Sequence, residues 1–98
     1  MDDDKTKTVV VQIGNSDDRL SQREWSVFCS CIQDIVDIYG TETHFSGGSL
    51  PNAPWQNFCW VVNVPQASVD ILLDEISDQR MAFRQSSIAV IVGDTQFI

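Results

Sequence analysis

The spacing of apolar residues divides the chain into alternating strand and helix segments. Val9, Val11 and Ile13 are separated by single residues, which is the two-residue period of a β-strand with one buried face. After polar turn residues 14–19, apolar side chains recur every three or four positions, as they do along the buried stripe of an amphipathic helix. This stripe comprises Trp25, Phe28, Cys29, Ile32, Ile35, Val36 and Tyr39.

Local signals mark both ends of this first helix. Ser21 and Glu24 have the spacing of a capping box, in which the serine side chain and the glutamate side chain each bond to the other residue's backbone N–H. Gly40 follows the last apolar position, and we expect it to end the helix in the left-handed conformation. The helix is therefore predicted to run from about residue 22 to residue 39.

The second half of the chain predicts two strands, a helix and a last strand. Residues 41–46 and 57–64 have strand patterns, and residues 47–56 between them hold two glycines and two prolines, which predict a long irregular connection. Pro65 suits the first turn of a helix that runs to about residue 83, and residues 88–92 form the last strand. The order βαββαβ predicts a ferredoxin-like α+β fold, a split βαβ. In this fold a four-stranded antiparallel sheet, with its first and third strands in the centre, carries two helices on one face.

Length and charge limit the classes of function. At 98 residues the chain is expected to form one α+β domain over residues 8–98, preceded by a disordered tail at residues 1–7. Its formal net charge of −8 repels a phosphate backbone, so we expect no direct nucleic-acid binding. No segment has the length and apolarity of a membrane span, and the acidic N-terminus is unlike a signal peptide. We expect a cytoplasmic protein without membrane contact.

Groups that could support catalysis or metal binding are few. Cys29 and Cys31 are two residues apart on the predicted helix, hence about 200° apart around its axis, so they cannot bind one metal together. With one further cysteine, Cys59, and one histidine, the chain predicts no metal site and no cofactor. An enzyme would have to combine His44 with Asp17 or Asp18, and no nucleophile lies near His44 in the sequence. We therefore expect a protein that is not an enzyme.

The sheet face opposite the helices is predicted to be open and partly apolar. It would display Val10, Gln12, Cys59 and Val61, together with Asn57 and Asn63. The last strand would add either Ala89 and Ile91 or Ile88, Val90 and Val92. RNA-binding modules of this topology carry stacking aromatic residues on the central strands, whereas Phe58 and Trp60 are predicted here to face the helices. The open face is a candidate homodimer interface, or only a surface with scattered valines.

Two further regions are candidates for binding a protein partner. The second helix is predicted to present an acidic outer surface of Asp70, Asp74, Glu75 and Asp78. The irregular connection ends in Trp55, Gln56 and Asn57, and we expect the Trp55 ring to fold back onto the domain.

We interpret the chain as a small acidic protein-binding module of the kind used by inhibitors, immunity proteins and antagonists of host defence. Such a module would occupy a basic surface of a macromolecular partner. The alternative is a dimeric small-molecule-sensing or assembly domain that associates through its open sheet face.

Overall fold

Six main elements appear in the predicted order. The computed structural model describes residues 5–15, 19–50 and 55–98. The strands are β1 (Thr6–Gly14), β2 (Glu42–Gly48), β3 (Asn57–Pro65) and β4 (Ala89–Gly93), and the helices are α1 (Gln22–Tyr39) and α2 (Val69–Ala82). A short 3₁₀ turn, Gln66–Ser68, leads into α2. The antiparallel sheet has the order β2-β3-β1-β4, which confirms the ferredoxin-like fold with β1 and β3 in the centre.

The first strand begins earlier than its apolar pattern predicts. Thr6 and Lys7 pair with Pro65 and Val64, and the Lys7 ammonium lies 3.0 Å from the Asp94 carboxylate. The predicted tail at residues 1–7 is therefore too long at its C-terminal end. Backbone pairing starts the strand at Thr6, three residues before its first buried side chain, Val9. Residues 1–4 lie outside the described part of the chain.

Helix α1 starts as predicted and ends differently. The Glu24 N–H donates to Ser21 Oγ and the Ser21 N–H donates to Glu24 Oε1, each at 3.1 Å, so the capping box is confirmed. Gly40 is extended, with φ −79°, rather than left-handed. Its N–H still donates to the Val36 carbonyl at 2.7 Å, and a Cβ on Gly40 would lie 2.6 Å from that oxygen. Glycine is needed here for close approach, not for a left-handed turn.

The core lies between the helices and one face of the sheet. Val9, Val11 and Ile13 are buried there with Trp60 and the α1 stripe. The Trp60 ring is almost fully buried and its Nε1–H donates to Gln33 Oε1 at 2.8 Å, so the polar atom of this large side chain is satisfied. Phe58 packs against the same core. The prediction that Phe58 and Trp60 face the helices is confirmed.

Candidate functional site

The open face of the sheet carries an apolar row that crosses all four strands. Phe45 pairs with Val61, Val61 with Val10, and Val10 with Ile91, so these four side chains stand side by side. The two central members are half-buried, whereas Phe45 is 55% and Ile91 65% exposed. This set, which we call the apolar row, includes the predicted face residues Val10 and Val61.

The neighbouring row contains small and polar residues. Gln12 pairs directly with Cys59, as the predicted face requires, and the row continues to Gly47 on β2 and Ala89 on β4. Of the two alternatives for the last strand, the structure therefore selects Ala89 and Ile91. Val90 pairs with the buried Val11 and lies on the helix side.

Phe45 joins the apolar row because β2 is irregular. The β2–β3 register shifts between Thr43, which pairs with Val62, and Phe45, which pairs with Val61. In a regular strand residues 43 and 45 share a face, but the extra residue of a bulge places them on opposite faces. Alternation along the sequence carries no sign of this bulge, so sequence reasoning missed Phe45.

The C-terminal segment returns across one end of the open face. The Thr95 hydroxyl hydrogen-bonds to the Thr8 hydroxyl on β1, and the Phe97 ring packs edge-on against His44 on β2, with ring centroids 6.0 Å apart. Residues 94–98 thus pass from β4 over β1 toward β2. They lie beside the polar row that contains Thr8 and Asn63, and Ile91 and Phe45 stay largely exposed.

The outer surface of α2 is acidic, but it is narrower than predicted. Asp70, Asp74 and Asp78 are exposed at four-residue spacing, and we call these three the acidic ridge. Glu75 does not belong to it. Its side chain is half-buried with Oε2 enclosed, and its carboxylate raises the pKa of the Tyr39 hydroxyl on α1 by hydrogen bonding. Glu75 sits about 100° around the helix from Asp74, and this rotation turns it toward α1.

Two apolar side chains accompany the acidic ridge. Ile71 is 48% exposed and Met81 61% exposed. The spacing 71, 74, 78, 81 follows one face of a helix, so both lie beside Asp74 and Asp78. This face therefore combines carboxylates with apolar anchors, a composition that suits contact with another protein.

The positive charges of the two helices lie elsewhere. The four arginines flank the start of α1 and the end of α2. The Arg84 guanidinium lies 2.7 Å from the Glu24 carboxylate and holds its pKa below the usual value, while Arg80 Nη1 donates to the Gln85 carbonyl at 3.2 Å. Within the described ranges, no ion pair or hydrogen bond joins the acidic ridge to a cationic side chain.

The segment Trp55–Asn57 is held by α1 and β1, not by α2. Gln56 exchanges side-chain hydrogen bonds with Gln22 at 2.8 and 3.0 Å, and Asn15 Nδ2 donates to Gln56 Oε1 at 3.2 Å. Asn57 is exposed. Trp55 is 55% exposed, so the expectation that its ring folds back is wrong. Among the described residues, no hydrogen bond, ion pair or ring contact links this segment to the acidic ridge.

The enzyme hypothesis requires His44 to lie close to Asp17 or Asp18. Asp17 and Asp18 lie outside the described residues. His44 is exposed on β2, level with Val61 and Val62 of β3.

The remaining candidate groups are the Cys29 thiol and any set of metal-binding side chains among the described residues. Burial raises the pKa of the Cys29 thiol to about 11, so it is not a thiolate near neutrality. Cys29 lies with Gln33 and Trp60 in a groove of about 250 Å³ beside α1. No cluster of three metal-binding side chains occurs in the described part of the chain. Over the same residues, neither helix is long and apolar enough to span a bilayer.

Comparison with known proteins supports the fold and nothing finer. No family model matches the chain, and no curated protein matches it. Among solved structures, the chain is similar to a crystal structure of an unknown protein from Galdieria sulphuraria, with a TM-score of 0.54 and 10% sequence identity. The match covers 94% of this chain and 50% of the other, so the chain spans about half the length of that protein.

Proposed function

We propose that this protein is a small acidic, non-enzymatic binding module that occupies a basic surface of a macromolecular partner through the outer face of α2. Inhibitors, immunity proteins and antagonists of host defence act in this way. The observation that carries the proposal is the acidic ridge, three exposed carboxylates beside Ile71 and Met81 for which the described residues show no ion pair.

The carboxylates of the ridge repel one another in the isolated protein. Like charges four residues apart on a helix destabilise it by roughly 0.2–0.5 kcal/mol per pair, and the ridge contains two such pairs. A basic partner would relieve this repulsion and would be attracted at long range, which raises the association rate more than the final affinity. The exposed Trp55 would supply a second, separate contact.

Three unpaired cysteines in the described chain agree with a reducing, cytoplasmic location, which is part of this proposal. The net charge of −8 supports a protein partner over direct contact with nucleic acid.

The test compares two variants with the same change in charge. Asp74→Lys with Asp78→Lys reverses the ridge, and Asp34→Lys with Asp37→Lys reverses two exposed carboxylates of α1. Each immobilised protein is used to capture partners from the native host, and the captured partner is then measured by surface plasmon resonance at several salt concentrations. We expect the ridge variant to lose the partner and the α1 variant to retain it. Equal binding by wild type and the ridge variant would refute the role of α2. Equal loss of binding in both variants would show that the net charge of the protein, and not the acidic ridge, determines the interaction.

The apolar row favours a second candidate function, a dimeric sensing or assembly domain that associates through the open face. Val61→Lys would place a charge in the centre of that face. Light scattering should then show a wild-type dimer and a monomeric variant. A wild type that stays monomeric would remove this candidate.

A further inference from the structure

The two edges of the sheet differ in how they are protected. Strand β2 contains mostly polar residues and glycine, and its register is broken near His44, features that discourage pairing with another strand. Strand β4 has the sequence Ala-Val-Ile-Val-Gly, and its pairing with β1 continues without a shift from Ala89 to Gly93. It contains no charge and no proline. The β4 edge is therefore the one suited to accept a further strand.

The hydrogen-bond pattern identifies the backbone groups that are available on β4. Asn15 and Gln56 continue the β1–β3 register, and the Asn15 N–H donates to the Gln56 carbonyl at 2.8 Å. Because hydrogen-bonded and non-bonded pairs alternate in antiparallel sheets, odd-numbered residues of β1 bond to β3. Even-numbered residues of β1 bond to β4, and they pair with residues 89, 91 and 93.

Val90 and Val92 consequently direct their N–H and C=O groups away from the sheet. Their side chains lie on the helix side, where Val92 is 43% exposed, and Ile91 between them is 65% exposed on the open face. A partner strand at this edge would meet two N–H donors, two C=O acceptors and an apolar surface on both sides.

We propose that β4 pairs with β4 of a second copy of this chain, in antiparallel orientation about a two-fold axis at Ile91. In this register Val90 lies opposite Val92 of the second copy, and the two such pairs exchange four N–H···O=C hydrogen bonds. Ile91 lies opposite itself at a non-hydrogen-bonded position, where side chains approach most closely. The two four-stranded sheets become one of eight strands, and the apolar row doubles in length.

The strand itself identifies a second copy as the occupant. The register centred on Ile91 uses the outward backbone groups of both Val90 and Val92 and places Ala89 opposite Gly93, and it brings no charge into the contact because β4 contains none. Five paired residues per strand form a smaller contact than a standard interface, which has about 800 Å² per partner. The association is therefore weak, and because each copy carries a charge of −8 it strengthens as salt screens the repulsion.

The first experiment measures the mass of the wild-type protein. Sedimentation equilibrium is carried out from about 10 μM to about 1 mM, at roughly 0.05 M and 0.5 M NaCl. We expect the average mass to rise from 11.0 kDa toward twice that value, and to rise further at high salt. A protein that remains monomeric throughout would overturn the proposal.

Two variants and a control locate the contact. Val92→Pro removes an outward N–H without breaking a bond to β1, and Ile91→Lys places two ammonium groups opposite each other at the axis. Thr43→Lys adds the same charge at the β2 edge. We expect the first two to weaken dimerisation by about tenfold or more, and the control to leave it unchanged or slightly tighter because its net charge is lower. A dimer that persists in both edge variants, or one that only Val61→Lys abolishes, would overturn edge pairing.

Amide hydrogen exchange tests the same contact without a variant. The Val90 and Val92 amides should become protected as concentration rises, whereas the Ile91 amide should be protected throughout. Dimerisation without this change would also overturn the proposal. The outcome is independent of the acidic ridge, because a strict monomer leaves the partner-binding test intact and failure of the ridge variant leaves the dimer intact.

Discussion

Replacing Asn15 by alanine should destabilise the fold more than any other single polar substitution at this end of the sheet. Asn15 is only 4% exposed, and its side chain satisfies both backbone groups of Leu20, itself 1% exposed. The Leu20 N–H donates to Asn15 Oδ1 at 3.0 Å, and Asn15 Nδ2 donates to the Leu20 carbonyl at 3.0 Å. The same amide nitrogen reaches Gln56 Oε1. Alanine would leave two buried backbone groups without partners.

The magnitude follows from these two groups. Each unsatisfied buried group costs about 1–3 kcal/mol, so the loss of both partners in Asn15→Ala should lower the free energy of unfolding by roughly 2–6 kcal/mol. For a domain of this size each kcal/mol lowers Tm by about 4–8 °C, so the fall in Tm should be about 10 °C or more. Urea and thermal unfolding followed by circular dichroism measure both quantities. Gln22→Ala is the matched control, because its amide bonds to Gln56 at the surface and its loss should cost about 0.5 kcal/mol or less. Equal small losses in the two variants would refute this account of the buried amide.

Two further predictions concern titratable groups. In a variant whose other cysteines are serine, Cys29 should react with iodoacetamide at pH 8 far more slowly than the unfolded chain does, because its pKa is about 11; equal rates in folded and unfolded protein would contradict this. The pKa of Glu24 is lowered first by its hydrogen bond with Arg84, so the stabilisation is fully present above the unfolded pKa near 4.5 and is lost as pH falls through the folded value. Glu24→Gln should therefore flatten the pH dependence of Tm between about pH 5 and pH 3, and an unchanged slope would exclude this pair as its source.

The fold could be predicted because its signals are local and periodic. The capping box at Ser21 and the stripe from Phe28 to Val36 define α1 within a few residues. The alternation at Val9, Val11 and Ile13 identifies the buried face of β1, and the same period turns Trp60 inward. Each of these features depends on neighbours in the sequence, so a single sequence contains enough information to reveal them.

The parts of the candidate surfaces that sequence reasoning missed depend on distant residues. Phe45 lies on the open face only because the β2–β3 register shifts, and no residue type in β2 predicts that shift. Glu75 resembles its acidic neighbours in sequence, but the packing of α2 against α1 turns it toward Tyr39. Asn15 reads as a turn residue, yet its amide organises the start of α1 and the Gln56 side chain.

The two proposed surfaces respond to salt in opposite directions, and this follows from one property of the chain. Binding of a basic partner to the acidic ridge depends on attraction between unlike charges, so it weakens as ionic strength rises. Pairing of two β4 edges opposes the repulsion between two bodies that each carry a charge of −8, so it strengthens under the same change. The negative charge that would attract a basic partner would also weaken the pairing of two copies at the β4 edge. At low salt the protein should therefore be mainly monomeric and most competent to bind a basic partner, and at high salt it should shift toward the edge-paired dimer.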